Sequence, residues 1–278
     1  MHFDKLSSIP DFSASRILVI GDLMLDRYVR GTVDRISPES PVPVLRITHT
    51  DTTLGGAGNV VRNLSTLGCN VNIMARIGGD KDGQDVSDML NNMDVSDQYL
   101  LRDHEHPTIV KTRYVSGMHQ LLRADAEDLN PPATPHMTQL IAQVEQIIPQ
   151  HNVVIISDYG KGLLTEEFIT CIITCAKQHN IPVLIDPKGR NFAKYTGAFL
   201  ITPNRKELSE ALDGQTLDTD DKIQSALSNM AEKSNIANIL VTRSEEGMSL
   251  YEPQSTEPFT HFRTTAQEVF DVSGAGDT

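Results

Sequence analysis

Short apolar runs alternate with helical patterns from residue 16 onward, and this alternation constrains the fold more than any other feature of the chain. Ile17–Ile20 and Val153–Ser157 are almost uninterrupted apolar runs, which predicts strands that are buried on both faces. Between such runs, apolar residues recur at spacings of three and four, as in amphipathic helices. Strands separated by helices are typical of a parallel sheet that is covered on both faces. We therefore predict an α/β fold with a central, mostly parallel sheet flanked by helices.

Capping residues and periodicity predict the individual elements. Thr165–His179 is predicted to be a helix, because Thr165 can cap it and two glutamates lie in its first turn. Ala57–Leu67 is predicted to be another, with Gly68 as its stop. Further strands are predicted at Val71–Ala75, Pro182–Asp186, Phe199–Thr202 and Ile239–Thr242, a closing hairpin near Gly247–Tyr251, and further helices near Gln84–Asn92, Asn204–Leu212 and Asp220–Ser234.

Two stretches interrupt the alternation. Residues 30–53 are rich in Pro, Thr and Val, and Pro38, Pro41 and Pro43 exclude a helix there. Residues 108–124 alternate apolar and polar side chains, as exposed strands do. Neither stretch has a covering helix, so we predict one small projecting β-sheet, or lid, that covers a ligand and packs against the same sheet in a homodimer. The body would then comprise residues 1–29, 54–107 and 125–278.

Composition and charge exclude several classes of protein. Among 278 residues there are 24 Lys and Arg against 37 Asp and Glu, a net charge of −13, which argues against nucleic-acid binding. The apolar runs are too short to span a membrane, and the N-terminus lacks the layout of a signal peptide. Three cysteines give no even disulfide framework, so we expect a reducing cytoplasm. Any anionic ligand must be held by backbone amides, a metal or individual basic side chains.

The segment DVSGAGDT, residues 271–278, predicts a glycine loop between a strand and a helix. Gly274, Ala275 and Gly276 would let a phosphate approach their backbone N–H groups closely. Asp277 would then be placed to take a proton from a hydroxyl that attacks the phosphoryl group. The alternative is a turn of small residues with Asp277 as an ordinary N-cap.

Polar groups also follow other predicted strands at their carboxyl ends, where ligands bind in open α/β sheets. An N-cap or a turn is the alternative for each of them, and Asn204 with Glu207 matches a capping box. A Glu in the first turn of a helix can also hold metal-bound water beside a nucleotide phosphate, so both interpretations of Glu207 stay open. The strand-end residues are Asp22, Asp158, Asp186, Asn204 and Asp277.

Two other groupings are less specific. Gly55 and Gly56 precede a helix but lack the G-x-G-x-x-G spacing of a dinucleotide loop, so they suit a hinge or backbone held close to a ligand. Cys171, Cys175 and His179 would share one helix face, which could ligate a soft metal. No fourth ligand is evident, and packing in the core is the favoured interpretation.

With Gly55-Gly56, Asn204-x-x-Glu207 and Gly274-Ala-Gly-Asp277 in this order, the chain resembles the ribokinase-like, phosphofructokinase-B-type carbohydrate kinases over essentially its whole length. The segments GDLMLDRY, RISPESPVPV, SDYGKG and LIDPKG are similar to the kinase part of the heptose 7-phosphate kinase/adenylyltransferase family. This resemblance implies ATP-dependent phosphorylation of the anomeric hydroxyl of D-glycero-β-D-manno-heptose 7-phosphate, in ADP-heptose synthesis for the lipopolysaccharide core. In many members a nucleotidyltransferase domain follows the kinase.

The resemblance also implies roles for the matching residues. Asp277 would be the base, and Gly274, Ala275 and Gly276 the anion hole. Lys161, Lys188, Arg113 and Arg123 are our own candidates for phosphate contacts, because an acidic protein needs cations to hold an anionic sugar and ATP. The resemblance places Asn204, Arg205, Lys206 and Glu207 on the side of ATP and Mg²⁺, with Glu207 toward the metal, and Asp22, Asp26, Gly55, Gly56 and Asn59 toward the sugar.

Two alternatives to this function stay open. A kinase for another sugar or sugar phosphate would share the closing loop and differ near Asp22 and Asp26. A non-catalytic sugar-binding module on the same fold would not need the base, so the presence of Asp277 beside the glycine loop disfavours it. A helix that fixes this loop would follow Thr278, and we expect a polypeptide that stops there to have little kinase activity.

Overall fold

The computed structural model describes residues 10–264, in which two separate β-sheets and six α-helices form. The helices are α1 (Ala57–Thr66), α2 (Lys81–Asn91), α3 (Thr134–Ile147), α4 (Glu166–Gln178), α5 (Arg205–Ala211) and α6 (Asp220–Ser234). The strands are β1 (Arg16–Gly21), β2 (Leu23–Ile36), β3 (Pro43–Gly56), β4 (Asn70–Gly78), β5 (Leu100–Asp103), β6 (Val110–Ser116), β7 (His119–Ala126), β8 (Val153–Ser157), β9 (Val183–Asp186), β10 (Leu200–Ile201), β11 (Asn238–Thr242), β12 (Met248–Tyr251) and β13 (Phe259–Phe262).

The larger sheet has the order β13-β12-β11-β10-β9-β8-β1-β4-β5. In this sheet, each pair of neighbouring strands among β11, β10, β9, β8, β1, β4 and β5 is parallel. Strands β12 and β13 add an antiparallel hairpin at the edge next to β11. The neighbours of β1 are β4 on one side and β8 on the other, so the chain winds away from β1 in both directions. This is the point in an open parallel sheet where a crevice forms beyond the strand ends. The predicted fold class is confirmed.

The first strand of the chain divides the core between the two faces of the larger sheet. Leu18 and Ile20 join a buried cluster with side chains of α3, α4, α5 and α6. Ile17 and Val19 point the other way and join a second cluster with side chains of α1 and α2. Since successive side chains of a strand alternate between faces, an unbroken apolar strand is what a sheet with two covered faces requires.

Most predicted elements are confirmed with ends shifted by a few residues. The helix predicted at Thr165–His179 is α4, and the Thr165 hydroxyl accepts a hydrogen bond of 3.2 Å from the Phe168 N–H. Helix α3 and strand β5 had not been predicted. Helix α3 begins after Ala133 without a side-chain cap, so the signals available for it were Pro135 in its first turn and the helical spacing of Leu140, Val144 and Ile147. No helix in residues 10–264 has the length and apolarity needed to cross a membrane.

The smaller sheet, called the lid sheet below, has the order β3-β2-β6-β7 and contains both stretches that interrupt the alternation. Its strands extend beyond the predicted stretches, because β2 starts at Leu23 and β7 ends at Ala126. At its base, Leu25 and Val110 are buried in the core cluster of the body. Farther out, Ile47 and Leu122 are each 58% exposed. The division into body and lid at the predicted boundaries stays a prediction.

One carboxylate joins α2 to the base of the lid sheet. Asp80 caps α2 by accepting a hydrogen bond of 2.8 Å from the Gly83 N–H. The same side chain accepts from the N–H of Thr108 at 2.9 Å and from its hydroxyl at 2.6 Å, just before β6 begins. Asp80 therefore fixes a helix start and a strand start together.

Replacing this carboxylate should destabilise the protein more than replacing an ordinary helix carboxylate. We expect Asp80→Ala to lower the free energy of unfolding by about 1–2 kcal/mol, the upper part of the range for a lost N-cap, because the Thr108 bonds are lost with it. Asp85→Ala in the same helix removes only a pair with the exposed Lys81 and should cost about 0.3–0.5 kcal/mol. Urea unfolding of both variants measures the difference, and equal losses would contradict the prediction.

Candidate active site

The candidate active site lies at the rim of the larger sheet where β1, β8, β9, β10 and β11 end. The rim residues are connected through their backbones: the Asp22 N–H donates to Ser157 O at 3.1 Å, and the Asp158 N–H donates to Asp186 O at 3.1 Å. Asn204 forms a parallel bridge to Thr242. Four of the five predicted strand-end residues, Asp22, Asp158, Asp186 and Asn204, are thus brought to one edge.

Asp22 is a buried carboxylate that fixes the loop after β8. Its side chain accepts hydrogen bonds from the N–H groups of Tyr159 at 2.9 Å and Lys161 at 3.0 Å, both through Oδ2. Oδ1 has no hydrogen-bond partner among the described residues, and the residue is only 2% exposed. Burial raises the pKa of Asp22 to about 6, although the two N–H groups act in the opposite direction.

Gly55 and Gly56 allow the start of α1 to approach the strand-end carboxylates. A Cβ at Gly55 would lie 2.4 Å from Oδ2 of Asp26, and one at Gly56 would lie 2.3 Å from the carbonyl oxygen of Asp22. Gly56 also has a φ of +56°, which disfavours other residues. The Ala57 N–H donates to Asp22 O at 3.0 Å. The glycine pair is therefore required for close packing around two predicted sugar-facing residues.

The lid sheet contributes charged side chains near Asp26. Asp26 forms a short ion pair with Arg113 of β6, and the Arg113 guanidinium lies 5.3 Å from the centre of the Tyr28 ring. Arg123 of β7 is half exposed and pairs with Asp125 at 3.0 Å. The predicted cations Arg113 and Arg123 thus lie on neighbouring strands, each beside a carboxylate.

Lys161 and Asn59 have polar partners in different parts of the structure. The ammonium group of Lys161 lies 2.6 Å from Oε2 of Glu127, which directly follows β7. Asn59, in α1, accepts a hydrogen bond of 2.8 Å from Arg62. Lys111 of β6 also pairs with Glu127, at 3.5 Å. Neither Lys111 nor Glu127 was a sequence-based candidate.

Asp158 is the centre of a second buried network. Its carboxylate accepts from Lys194 Nζ and from the Tyr195 hydroxyl, each at 2.7 Å, and from the Gly160 N–H at 2.8 Å. Burial and the adjacent Asp158 raise the pKa of Tyr195. The Tyr195 hydroxyl in turn accepts from the Lys188 N–H at 2.9 Å. Lys194 and Tyr195 were missed because they are far from Asp158 in sequence and match no motif.

The capping box of α5 is confirmed. Asn204 Oδ1 accepts from the Glu207 N–H at 2.9 Å, and Glu207 Oε2 accepts from the Asn204 N–H at 3.1 Å. The remaining oxygen, Oε1, lies 2.9 Å from Lys188 Nζ. Carboxylate oxygens are ligands that Mg²⁺ accepts, often through water. Glu207 thus fits a metal-facing role only if Lys188 moves to another anion, and a nucleotide phosphate could provide one.

The other predicted nucleotide-side residues extend this rim. Arg205 forms an ion pair of 2.5 Å with Glu246, in the turn after β11. That glutamate also pairs at 2.5 Å with the buried Arg243, which sequence reasoning had missed. Lys206 is exposed and lies 3.8 Å from Glu210. The predicted catalytic residues Gly274, Ala275, Gly276 and Asp277 lie outside the described residues.

The cysteine grouping on α4 does not form a metal site in the structure. Within residues 10–264, no cluster of three or more His, Cys, Asp and Glu side chains is arranged to hold a metal ion. Burial raises the pKa of Cys171 and Cys175, so neither is an activated thiol. Both face α3, where Glu145 lies nearby.

A match to the profile of a known protein family decides which family the chain belongs to. The profile of the pfkB family carbohydrate kinases matches residues 14–278. The chain belongs to this family. The resemblance to phosphofructokinase-B-type kinases is thereby confirmed, and the rim described above is the edge of a carbohydrate kinase sheet.

Individual relatives within the pfkB family agree with this assignment. The chain is 42% identical over 263 residues to the bifunctional protein HldE of Rhodospirillum rubrum, covering 95% of this chain and 52% of that protein. It is 42% identical over 264 residues to the D-beta-D-heptose 7-phosphate kinase of Bordetella bronchiseptica, covering 95% of this chain and 81% of that one. The chain thus spans about half the length of the bifunctional relatives that it matches.

Solved structures of pfkB-type and ribokinase-type kinases share the fold. Phosphofructokinase-2 from Escherichia coli superposes with a TM-score of 0.76 at 20% identity, over 95% of this chain and 84% of that one. The Arabidopsis thaliana ribokinase complexed with ribose and ATP gives a TM-score of 0.72 at 19% identity, over 95% of this chain and 83% of that one. At these identities the likeness establishes the fold alone.

The raised pKa of Asp22 predicts how stability depends on pH. Folded Asp22 holds its proton up to about pH 6, whereas the ordinary value is 3.8. Its contribution to stability is therefore fully present below pH 3.8 and is lost as pH rises through 6, by an amount of about 3 kcal/mol. Asp22→Asn cannot ionise and can still accept both loop N–H groups.

We therefore expect the free energy of unfolding of Asp22→Asn to fall less than that of the wild type between pH 4 and pH 7. Urea unfolding at half-unit pH intervals measures this slope. Asp34→Asn, which changes a largely exposed carboxylate of the lid sheet, is the control and should keep the wild-type slope. A wild-type slope for Asp22→Asn would contradict the raised pKa.

Proposed function

We propose that the protein is an ATP-dependent kinase that phosphorylates the anomeric hydroxyl of D-glycero-β-D-manno-heptose 7-phosphate to the 1,7-bisphosphate. This reaction would serve ADP-heptose synthesis for the lipopolysaccharide core, in the cytoplasm. The observation that carries the proposal is the 42% identity to a D-beta-D-heptose 7-phosphate kinase of which the match covers 81%. The cations of the lid sheet and of the loop after β8, two of which share Glu127, suit a phosphorylated sugar.

The chemistry requires a base, an anion-binding loop and a sugar held at the rim. Asp277 takes the proton from the anomeric hydroxyl, whose oxygen bonds to the γ-phosphorus of ATP as the bond to ADP breaks. Backbone N–H groups from Gly274 to Gly276 stabilise the charge that develops on the transferred phosphoryl group. ATP supplies that group, and Mg²⁺, when bound, would neutralise charge on its phosphates.

The rim divides between the two substrates. Toward the nucleotide lie Lys188 and the α5 start, where Glu207 would hold Mg²⁺ and Lys188 would exchange Glu207 for a phosphate oxygen of ATP. Toward the sugar lie the strand-end carboxylates and the glycine pair that packs against them. The nucleotide side comprises Asn204, Arg205, Lys206, Glu207 and Lys188, and the sugar side comprises Asp22, Asp26, Gly55, Gly56, Asn59, Arg113, Arg123 and Lys161.

Removal of the base should abolish phosphoryl transfer. In the full-length protein, Asp277→Asn should lower kcat with heptose 7-phosphate by about 10²- to 10⁴-fold, the usual contribution of a general base. ATP affinity should stay near the wild-type value, because the amide keeps the size of the side chain. A coupled ADP-release assay measures kcat, and calorimetry measures ATP binding.

Matched reactions separate this function from its alternatives. Glu257→Gln, a change at an exposed carboxylate near β13, should keep wild-type turnover. The value of kcat/KM should be higher for heptose 7-phosphate than for fructose 6-phosphate or unphosphorylated heptose. A preference for another sugar phosphate would replace the substrate in the proposal, and wild-type turnover by Asp277→Asn would remove Asp277 as the base. Absence of transfer with every sugar would favour a binding module.

The lid sheet, residues 30–53 and 108–124 together with their flanking strand ends, covers the sugar and forms a homodimer. Its outer part exposes large apolar side chains, which a second lid sheet would cover. Exposed side chains of this kind include Ile36, Ile47, Met118, Leu121 and Leu122.

A charged residue in this apolar patch should separate the two subunits. We expect the double variant Ile47→Glu/Leu122→Glu to sediment as a monomer at concentrations where the wild type is a dimer, since two buried charges would lie in the interface. Phe199→Glu, which changes an exposed aromatic residue of the body, is the control. A monomeric wild type, or a dimer that survives the double change, would exclude the lid as the dimer interface.

A further inference from the structure

One carboxylate oxygen joins a lysine of the lid sheet to a lysine of the body. Oε2 of Glu127 lies 2.6 Å from Lys161 Nζ and 3.5 Å from Lys111 Nζ. Lys111 belongs to β6, whereas Lys161 follows β8 in the body. All three side chains are largely buried, with relative exposures of 13% for Lys111, 16% for Lys161 and 21% for Glu127.

The backbone of Lys161 is held by two buried charged residues. Its N–H donates to Asp22 at 3.0 Å, and its carbonyl oxygen accepts from Arg76 at 3.2 Å. The turn around Lys161 is also specified, because Gly162 has a φ of +94° and a Cβ there would lie 2.5 Å from the carbonyl oxygen of Leu129. The backbone around Lys161 is thus fixed by several contacts, and its ammonium group lies beside Glu127 although the burial of charged groups is unfavourable.

Lys111 has an equally defined position on the lid sheet. It is in register with Asp26 of β2 and Asp125 of β7, so the three side chains share one face of the sheet. Asp125 lies 3.1 Å from Lys111 Nζ. Two residues along, Arg113 and Arg123 lie directly opposite each other on that face, and each pairs with a carboxylate, Arg113 with Asp26 and Arg123 with Asp125.

The ion pairs around these lysines contain one more cation than carboxylates, although the chain as a whole is acidic. The chain has a net charge of −13. Five ion pairs on this face of the lid sheet and at Lys161 contain four cations and three carboxylates. The cations are Lys111, Lys161, Arg113 and Arg123, and the carboxylates are Asp26, Asp125 and Glu127.

We propose that Lys111 and Lys161 bind the phosphate group that the sugar substrate already carries, and that this phosphate displaces Glu127, which pairs with Lys161 and lies beside Lys111 together with Asp125. The inference rests on the proposed function and locates the part of the site that distinguishes a phosphorylated sugar from a free one. A phosphate dianion has several oxygens, so it can accept charge-assisted hydrogen bonds from both lysines at once. Because one lysine belongs to the lid sheet and the other to the body, the bound phosphate also joins the two.

The first test compares Lys111→Met with the wild type in the full-length protein. The KM for heptose 7-phosphate should rise about 10- to 100-fold, the effect of losing one hydrogen bond to a charged group. The KM for ATP should stay unchanged, because Lys111 is not on the nucleotide side. Lys81→Met, at a largely exposed lysine of α2, is the control and should change neither constant.

The second test uses a change of opposite sign. Glu127→Gln removes the competing negative charge, so inorganic phosphate should bind this variant more tightly than the wild type by calorimetry, and Lys111→Met more weakly. A variant that merely misfolds cannot gain phosphate affinity, so the gain separates this role from a structural one. Weaker or unchanged phosphate binding by Glu127→Gln, or an unchanged KM for the sugar phosphate in Lys111→Met, would overturn the inference.

The two proposals can fail separately. If the wild type does not phosphorylate heptose 7-phosphate, the proposed function fails, and the phosphate titrations of Lys111→Met and Glu127→Gln still decide whether the lysine pair binds phosphate. If the wild type is active but both variants bind phosphate as it does, the proposed function stands and the lysine pair is not the phosphate site.

Discussion

The buried carboxylate of Asp22 is the interaction on which the rest of the rim depends. Through its side chain it holds the N–H groups of Tyr159 and Lys161, and through its carbonyl oxygen it receives the Ala57 N–H at the start of α1. The end of β1, the loop after β8 and the first turn of α1 therefore meet at one residue. A carboxylate with so little access to water is costly, and its raised pKa records that cost. The carboxylate is nevertheless required, because an apolar side chain at this position could not accept hydrogen bonds from the two backbone N–H groups.

Arg76 complements Asp22 from the neighbouring strand. Its guanidinium donates to the carbonyl oxygens of Asn130 at 2.8 Å, Asp128 at 3.1 Å and Lys161 at 3.2 Å. Residues 127–130 connect the last strand of the lid sheet to the segment before α3, so Arg76 ties this connection to the loop after β8. Several donors in a fixed planar geometry suit a buried arginine for this task better than a lysine. The position of Glu127 beside Lys161 is a consequence of this junction, and it does not depend on the ion pair alone.

Whether a feature of the structure could be predicted from the sequence depends on how far apart its interacting residues lie along the chain. Thr165 and the Asn204–Glu207 box act within a few residues, so a short motif contains all the information about them. Buried strands were equally visible, since an unbroken apolar run requires two covered faces. In contrast, the Asp158 carboxylate accepts hydrogen bonds from Lys194 and Tyr195, and Glu207 pairs with Lys188 in addition to Asn204. These pairs join the end of β8 to a short 3₁₀ helix, Phe192–Tyr195, and the loop after β9 to the start of α5, and neither propensity nor spacing encodes them. Lys111 was missed for the same reason: it lies in a strand whose neighbours are fixed by sheet register.

The junction between the two sheets also limits how the lid sheet can move. A hinge at Gly55 and Gly56 was one interpretation of the glycine pair, but both glycines are packed tightly against Asp22 and Asp26. Strand β2 continues directly from β1, and its first residues are buried in the core of the body. Its pairing with β3 shifts register between Arg30 and Gly31, and such irregularities increase local twist and bending. Bending is therefore easier in the outer part of the lid sheet than at its base. The base carries Asp26, Lys111 and Arg113, so it keeps these charges in a constant position relative to Lys161 while the outer strands adjust.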